Sequence, residues 1–390
     1  MRIHAGFATV VWMLVAWTPL PVSSNAAEPI GAASKTTVRE SFKFDPEDQW
    51  VLVAVRVGTK DYQFVLDTGA TVSVFDVSLR SHLGPRVGSV RAGVAQGGDM
   101  QVEVHSTANA RVGSLPLTKG PVGCHDCILL RETSGCDVRG LVGMDFLKDW
   151  IITIDFDEGR LDVLPPGTGR DPNWGESGPF VFDAGGAMIV FPTVGESTWT
   201  AFEVDTGNDS TGHLEEALLN RVVGSHEARV TGDEKAVTLS GKHSSQVVQL
   251  SHLCLGAFRH DNLRFSSGNQ NILGLNYLSR YRVTIDFPKQ RLYLAKGKHF
   301  ADPDAGHKSG LHFFFTARGL DVQCVDEKSP ALVADLRAKD VIVKLFGKPV
   351  SAWKPSVVRR LFRTEGKAVQ LTIERDGKRM EKSFTPKEYD

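Results

Sequence analysis

The sequence predicts a mainly β protein in which one all-β unit occurs twice in tandem, followed by a smaller β domain of different rhythm. Three observations carry this expectation. Short apolar runs alternate with polar residues and end on glycine-containing turns, the pattern of half-buried strands and hairpins. A set of motifs recurs in the same order and at nearly the same spacing in residues 45–166 and 177–297, which marks a duplication. Beyond residue 297 these motifs stop and a new arrangement of strands and one helix begins.

A chain of 390 residues is long enough for two or three domains. With 23% charged residues and a net charge of −1, it offers neither a nucleic-acid surface nor a polybasic membrane patch. Arg2 is followed by an apolar run from Gly6 to about Leu20, then by the small residues of Pro21 to Ala27. This is the layout of a signal peptide over residues 1–26, cleaved after Ala26; the run is short of the ~20 residues a span needs. The expectation is an exported chain, periplasmic or secreted, with no stable membrane insertion. Residues 27–44 read as a loose, polar lead-in.

From residue 45 the strands begin. Val51 to Val57 and Tyr62 to Leu66 flank a Gly58-Thr59-Lys60 turn, and this hairpin delivers Asp67-Thr68-Gly69 to its end. Without a Cβ, Gly69 lets the backbone turn sharply and bring its N–H toward the Asp67 carboxylate. Val90 to Val104 is a second hairpin interrupted by Gly93, Gly97 and Gly98, which suits a flap that closes over a bound chain. Gly140-Leu141-Val142-Gly143 and the strand Trp150 to Phe156 follow.

The second copy repeats this order. Met188 to Val194, a Gly195-Glu196-Ser197 turn and Thr200 to Val204 lead to Asp205-Thr206-Gly207, then to Asn271-Ile272-Leu273-Gly274 and Tyr281 to Phe287. A glycine that ends an apolar strand lets another backbone pass close by, so Gly143 and Gly274 are expected to clamp the two Asp-Thr-Gly loops. Pro165 to Gly178 links the copies, and Lys296 to Ser309 leads into the tail, residues 308–390. The tail holds strands at Gly319 to Val325 and Val341 to Val350, a helical stretch from Pro355 to Phe362, and a closing strand pair turning at Asp376-Gly377.

Asp67-Thr68-Gly69-Ala70 with Leu141-Val142-Gly143, and Asp205-Thr206-Gly207 with Ile272-Leu273-Gly274, make residues 45–296 similar to the aspartic proteases of the retropepsin and pepsin type. The resemblance implies two retropepsin-like β-barrel lobes forming a pseudo-dimer in one chain, and hence a monomer. It implies that Asp67 and Asp205 flank one catalytic water, and that Thr68 and Thr206 hydrogen-bond across the interface to join the loops. The second copy departs from the pattern: Asn208 stands where Ser, Thr or Ala is usual, and Asp209-Ser210-Thr211-Gly212 is more polar than Thr71-Val72-Ser73-Val74.

The tail resembles a PDZ domain of the bacterial-protease kind, although Ala338-Lys339-Asp340 lacks the glycine usual before that Asp. Such a domain takes a peptide as an added strand beside its helix, with Ser309-Gly310-Leu311-His312-Phe313 as a candidate carboxylate loop. The activity so implied is that of an exported aspartic endopeptidase acting on peptides or unfolded proteins, with no cofactor. The alternatives are a catalytically silent double lobe that only holds peptides, and an assembly with cross-chain sites.

Two carboxyls within hydrogen-bond reach cannot both ionise easily, so the pair holds one proton over its working range. Ala70 and Asn208 lack the hydroxyl that donates to the carboxylates in this family, which leaves the pair's pKa values higher and moves the optimum toward neutrality. Other chemistries lack their motifs: the twelve histidines show no HExxH spacing, and there is no Gly-x-Ser-x-Gly elbow or phosphate-cradling loop. Among the five cysteines, Cys124-His125-Asp126-Cys127 with Cys136 nearby suggests a loop disulfide rather than a metal site.

Overall fold

In the middle of the molecule two strands of the duplicated unit meet. Ile151–Asp155 and Tyr281–Asp286 run antiparallel with Thr153 opposite Thr284, whose buried hydroxyls lie 3.0 Å apart. The computed structural model describes residues 39–93, 99–118, 120–195, 198–238, 241–304 and 308–389. The signal-peptide reading of residues 1–26, and Gly97 and Gly98 of the flap, lie outside these residues.

Around the central pair is a six-stranded sheet to which each copy contributes symmetrically. Arg160–Leu164 and Arg291–Lys296 flank the pair, and Glu40–Lys43 and Glu176–Pro179 form the edges. One face of the sheet sends Ile152, Ile154, Val283 and Ile285 into the core shared by both lobes, and the other packs Ile151 and Leu164 on Trp174 and Tyr293. Burial on both faces reaches even the polar residues of these strands, Thr153, Asp162, Thr284 and Asp286. Glu40–Lys43, read from the sequence as lead-in, is a strand because Phe42 packs on the core and Ser41 Oγ donates to Asp162 Oδ1 at 2.6 Å. Four residues are too few for a periodic signal.

Each lobe is a strongly curved sheet, nine-stranded in the first and ten-stranded in the second. Both carry the same inner junction. The strand that ends at the acid (Lys60–Leu66, Phe202–Val204) pairs in parallel with the strand that ends before the glycine (Val138–Val142, Ile272–Leu273). Phe64 and Phe75 meet edge-to-face at 5.2 Å under the first junction, and Phe202 and Phe265 at 6.2 Å under the second.

The tail has its own core and its own sheet, with Leu311–Thr316 at the edge, followed by Gly319–Val325, Val341–Leu345, Val369–Arg375 and Lys378–Phe384. The helix Pro355–Arg363 lies along that edge strand, Phe362 standing perpendicular to Phe313 at 5.4 Å. The same helix docks on the first lobe. Ser356 donates to Asp45, Arg360 pairs with Glu47, and Arg359 donates to the Ser134 carbonyl at 2.6 Å with Asp48 at 3.6 Å.

The expected loop disulfide is not formed: no disulfide joins Cys124, Cys127 or Cys136. Cys124 and Cys127 are buried in the first lobe, and the helix Ile128–Ser134 stands between Cys127 and Cys136. At about 1.5 Å per residue that helix holds their Cα atoms roughly 10 Å or more apart, beyond the ~7 Å limit of a disulfide.

Candidate active site

The two Asp-Thr-Gly turns face each other at the junction of the lobes, and each is built alike. Asp67 N donates to Val142 O at 3.0 Å, and Asp205 N to Leu273 O at 3.0 Å, so the neighbouring strand fixes the backbone of each acid. Gly69 and Ala70 N–H groups donate to Asp67 Oδ1 at 2.9 and 3.1 Å; Gly207 and Asn208 donate to Asp205 Oδ1 at 2.8 and 3.2 Å. The departure at Asn208 therefore leaves the carboxylate's backbone donors in place. Its side-chain oxygen turns away to accept from Ser210 N and Oγ at 3.0 and 2.6 Å.

Gly143 and Gly274 close each loop from the side. A methyl group on Gly143 would lie 2.6 Å from Ala70 O, and one on Gly274 would lie 2.3 Å from Ser210 O. The residues after them seal the contact, Met144 N donating to Ala70 O and Leu275 N to Asn208 O. Between the loops the threonines cross over. Thr68 Oγ1 donates to Val204 O at 2.6 Å and accepts from Thr206 N at 3.0 Å, while Thr206 Oγ1 donates to Leu66 O at 2.7 Å and accepts from Thr68 N at 3.1 Å. Both hydroxyls are buried, so these four bonds satisfy backbone groups that have no access to water.

The outcome is a pair of carboxyls brought face to face across the junction of the lobes. Gly69 lies against one and Gly207 against the other: a methyl on Gly69 would sit 2.7 Å from Asp205 Cγ, and one on Gly207 would sit 2.6 Å from Asp67 Cγ. Only glycine lets the two loops come this close. Burial, and after it the charge of Asp205, push Asp67 far above the usual carboxylate range. Burial raises Asp205 as well, but the Gly207 N–H and the hydrogen bond from Asp67 hold it back. Both carboxyls are thus held above the usual range, and the pair shares a proton and titrates as a unit.

Residues 53–146 match the family model of an aspartyl protease, and residues 299–384 match that of a PDZ domain. The chain carries an aspartyl protease domain and a PDZ domain. No curated protein matches it. The match to the protease family covers the first lobe only, and the second joins it through the repeated geometry just described.

A cavity of about 880 Å³ runs above the dyad of the protease domain. Its roof is the hairpin Arg86–Gly93 and Asp99–His105, whose Val90, Ala92, Gly93 and Met100 reach the cavity. Gly93 is paired with Asp99 at the end of the described hairpin. The second lobe carries a corresponding hairpin, Ala228–Thr238 and Gly241–Leu255, with Ser245 and Val247 lining the same cavity. Sequence reading passed over it, although the β-branched pair in Gln246-Val247-Val248-Gln249-Leu250 is a strand signal.

Two further residues were not found from the sequence. Trp50 Nε1 donates to Gly207 O at 2.8 Å, and Gln49 Nε2 donates to Asp209 Oδ2 at 2.7 Å, so a segment of lobe one holds the Asp-Thr-Gly loop of lobe two. Nothing local distinguishes these side chains from an ordinary strand entry. On the PDZ side the cavity reaches Ser309, Leu311, His312 and Phe313, the stretch read as a candidate carboxylate loop.

Glu103, His105 and Cys124 bring ligand-type atoms within 4.8 Å of one another at the base of the first hairpin. Arg80 Nε stands 3.1 Å from Glu103, so a guanidinium already supplies the positive charge a metal ion would bring. This trio is also not the cysteine cluster that the sequence suggested, since only Cys124 is common to both.

Proposed function

We propose that the chain is an exported aspartic endopeptidase that hydrolyses peptide bonds of peptides or unfolded proteins, with its PDZ domain docking the substrate. The single observation that carries this reading is the facing pair Asp67 and Asp205, each fixed in a matching loop against the opposite glycine and set beneath a hairpin at the floor of the cavity. The ionised member of the pair takes a proton from a water that attacks the scissile carbonyl. The protonated member donates to the oxygen as charge develops there, and a proton then passes to the departing nitrogen. No covalent enzyme intermediate is needed.

Asp67→Asn and Asp205→Asn, each tested on a denatured protein substrate, are expected to lower the rate by about 10²–10⁴-fold or more. Peptide capture through the PDZ domain is expected to persist in both. Hydrolysis that survives either substitution overturns the reading; absence of hydrolysis in the wild type leaves a peptide-holding protein. The raised dyad places the optimum toward neutrality, and a pH–rate profile peaking below about pH 4 contradicts that. Export rests on the sequence of residues 1–26 alone, and N-terminal sequencing of the mature protein is expected to begin at Ala27.

A further inference from the structure

The duplication allows the two halves of the cleft to be compared position by position, and one position breaks the symmetry. Two residues before Asp67 stands Val65, paired in parallel with Leu141; two residues before Asp205 stands Glu203, paired in parallel with Ile272. The two are structural equivalents, and both line the cavity above the dyad. On the first lobe that position is apolar, and Val74, Val90 and Leu130 are among the other residues that lobe sends to the cavity. On the second lobe it presents a carboxyl group.

An acid here is costly. Glu203 is only 9% exposed, and its one side-chain hydrogen bond among the described residues is from Gln270 Nε2 to its Oε2 at 2.5 Å. The charges that act on it are those of Asp205 and Asp183, both negative. Burial first, then Asp205, push its carboxyl up to about 8. A buried acid among acids, open to the substrate cavity and without a cation of its own, is complementary to a positive charge that arrives with the ligand.

We infer that Glu203 is a specificity-determining residue, and that the cleft takes a peptide carrying an apolar residue on one side of the scissile bond and a lysine or arginine on the other. This rests on the endopeptidase reading and deepens it. The apolar side chain lies toward Val65 and the basic one toward Glu203. A guanidinium or ammonium within reach of Glu203 ionises the carboxyl and forms a charge-assisted hydrogen bond in a site shielded from water.

The test is a synthetic library of peptides randomised on both sides of the cleavage position, digested by the full chain and read by mass spectrometry. The wild type is expected to enrich lysine and arginine at one flanking position by about tenfold or more over norleucine. Glu203→Gln is expected to remove most of this preference, and Glu203→Leu to replace it with an apolar one. A parallel measurement independent of turnover uses statine-containing hexapeptides with arginine or norleucine at that position, whose dissociation constants are expected to differ by the same factor in the wild type and to converge in Glu203→Gln.

Cleavage without a basic preference, or a preference untouched in both variants, overturns this inference while leaving the endopeptidase intact. Absence of both cleavage and statine-peptide binding in a folded wild type overturns the endopeptidase reading, and the inference with it. Melting curves of both variants separate lost specificity from lost folding.

Discussion

Thr68 and Thr206 show how much a single hydroxyl can hold. Replacing Thr68 by valine keeps the shape but leaves Val204 O and Thr206 N without partners in a dry interface. Each orphaned group costs about 1–3 kcal/mol, so Thr68→Val is expected to lower unfolding stability by that order in a denaturant titration, and Thr68→Ser to recover most of it. Glu203 gives a second effect of opposite character. The unfolded chain releases this proton near 4.5, the ordinary value of a glutamate, and the folded chain only near about 8. The folded state therefore binds more protons between those values, and its stability falls as pH rises across that window. In Glu203→Gln this slope is expected to vanish, so the variant's melting temperature gains on the wild type toward pH 8 and shows no such gain near pH 4.5. An equal difference at both pH values would refute the titration argument.

At the scale of elements, the segment from Asp45 to Trp50 ties three parts together. Its acidic end holds the PDZ helix through Asp45, Glu47 and Asp48, and its far end holds the second Asp-Thr-Gly loop through Gln49 and Trp50. The helix Ile128–Ser134 ends on Gly135 at φ 72°, where a methyl group would meet Phe315 Cγ at 2.7 Å and Pro355 Cγ at 2.8 Å. Gly135→Ala therefore combines left-handed backbone strain of about 1–2 kcal/mol with a clash against both walls of the PDZ groove. The expected result is a destabilised chain in which the PDZ domain becomes easier to cleave from the lobes by limited proteolysis. Unchanged protease sensitivity would show that this contact does not hold the domain in place.

Across the whole molecule, the groove between Leu311–Thr316 and Pro355–Arg363 opens at its Leu311 end into the cavity above the dyad and is closed at its Phe315 end by Ser134 and Gly135. A peptide adding along that edge strand must displace the first lobe to run its full length. The exposed pairs that hold the dock, Asp45 with Lys354 and Glu47 with Arg360, are each worth no more than about 1 kcal/mol. Asp45→Ala with Glu47→Ala is therefore expected to raise the affinity for a fluorescent peptide with a free C-terminal carboxylate about fivefold, and added salt to do the same in the wild type. Equal affinity in both forms would mean that docking does not limit access to the groove.

The sequence by itself determined the duplication, the mainly β class, the separate tail and the two Asp-Thr-Gly turns. These depend on local periodicity and on motifs whose order survives in the linear chain. The glycines Gly69, Gly143, Gly207 and Gly274 were legible for the same reason, since close backbone approach admits no other residue. Tertiary structure alone decided what each turn faces: that Gly69 lies on Asp205, that Trp50 reaches Gly207, and that Ser134 and Gly135 close the PDZ groove. Glu203 stood in plain view as an acid inside an apolar strand, yet its meaning required the fold, because only the structure shows that this position lines the cavity and has acids rather than a cation around it. The missing loop disulfide was decided in the same way: spacing along the chain suggested a bridge, and in space the helix Ile128–Ser134 stands between Cys127 and Cys136.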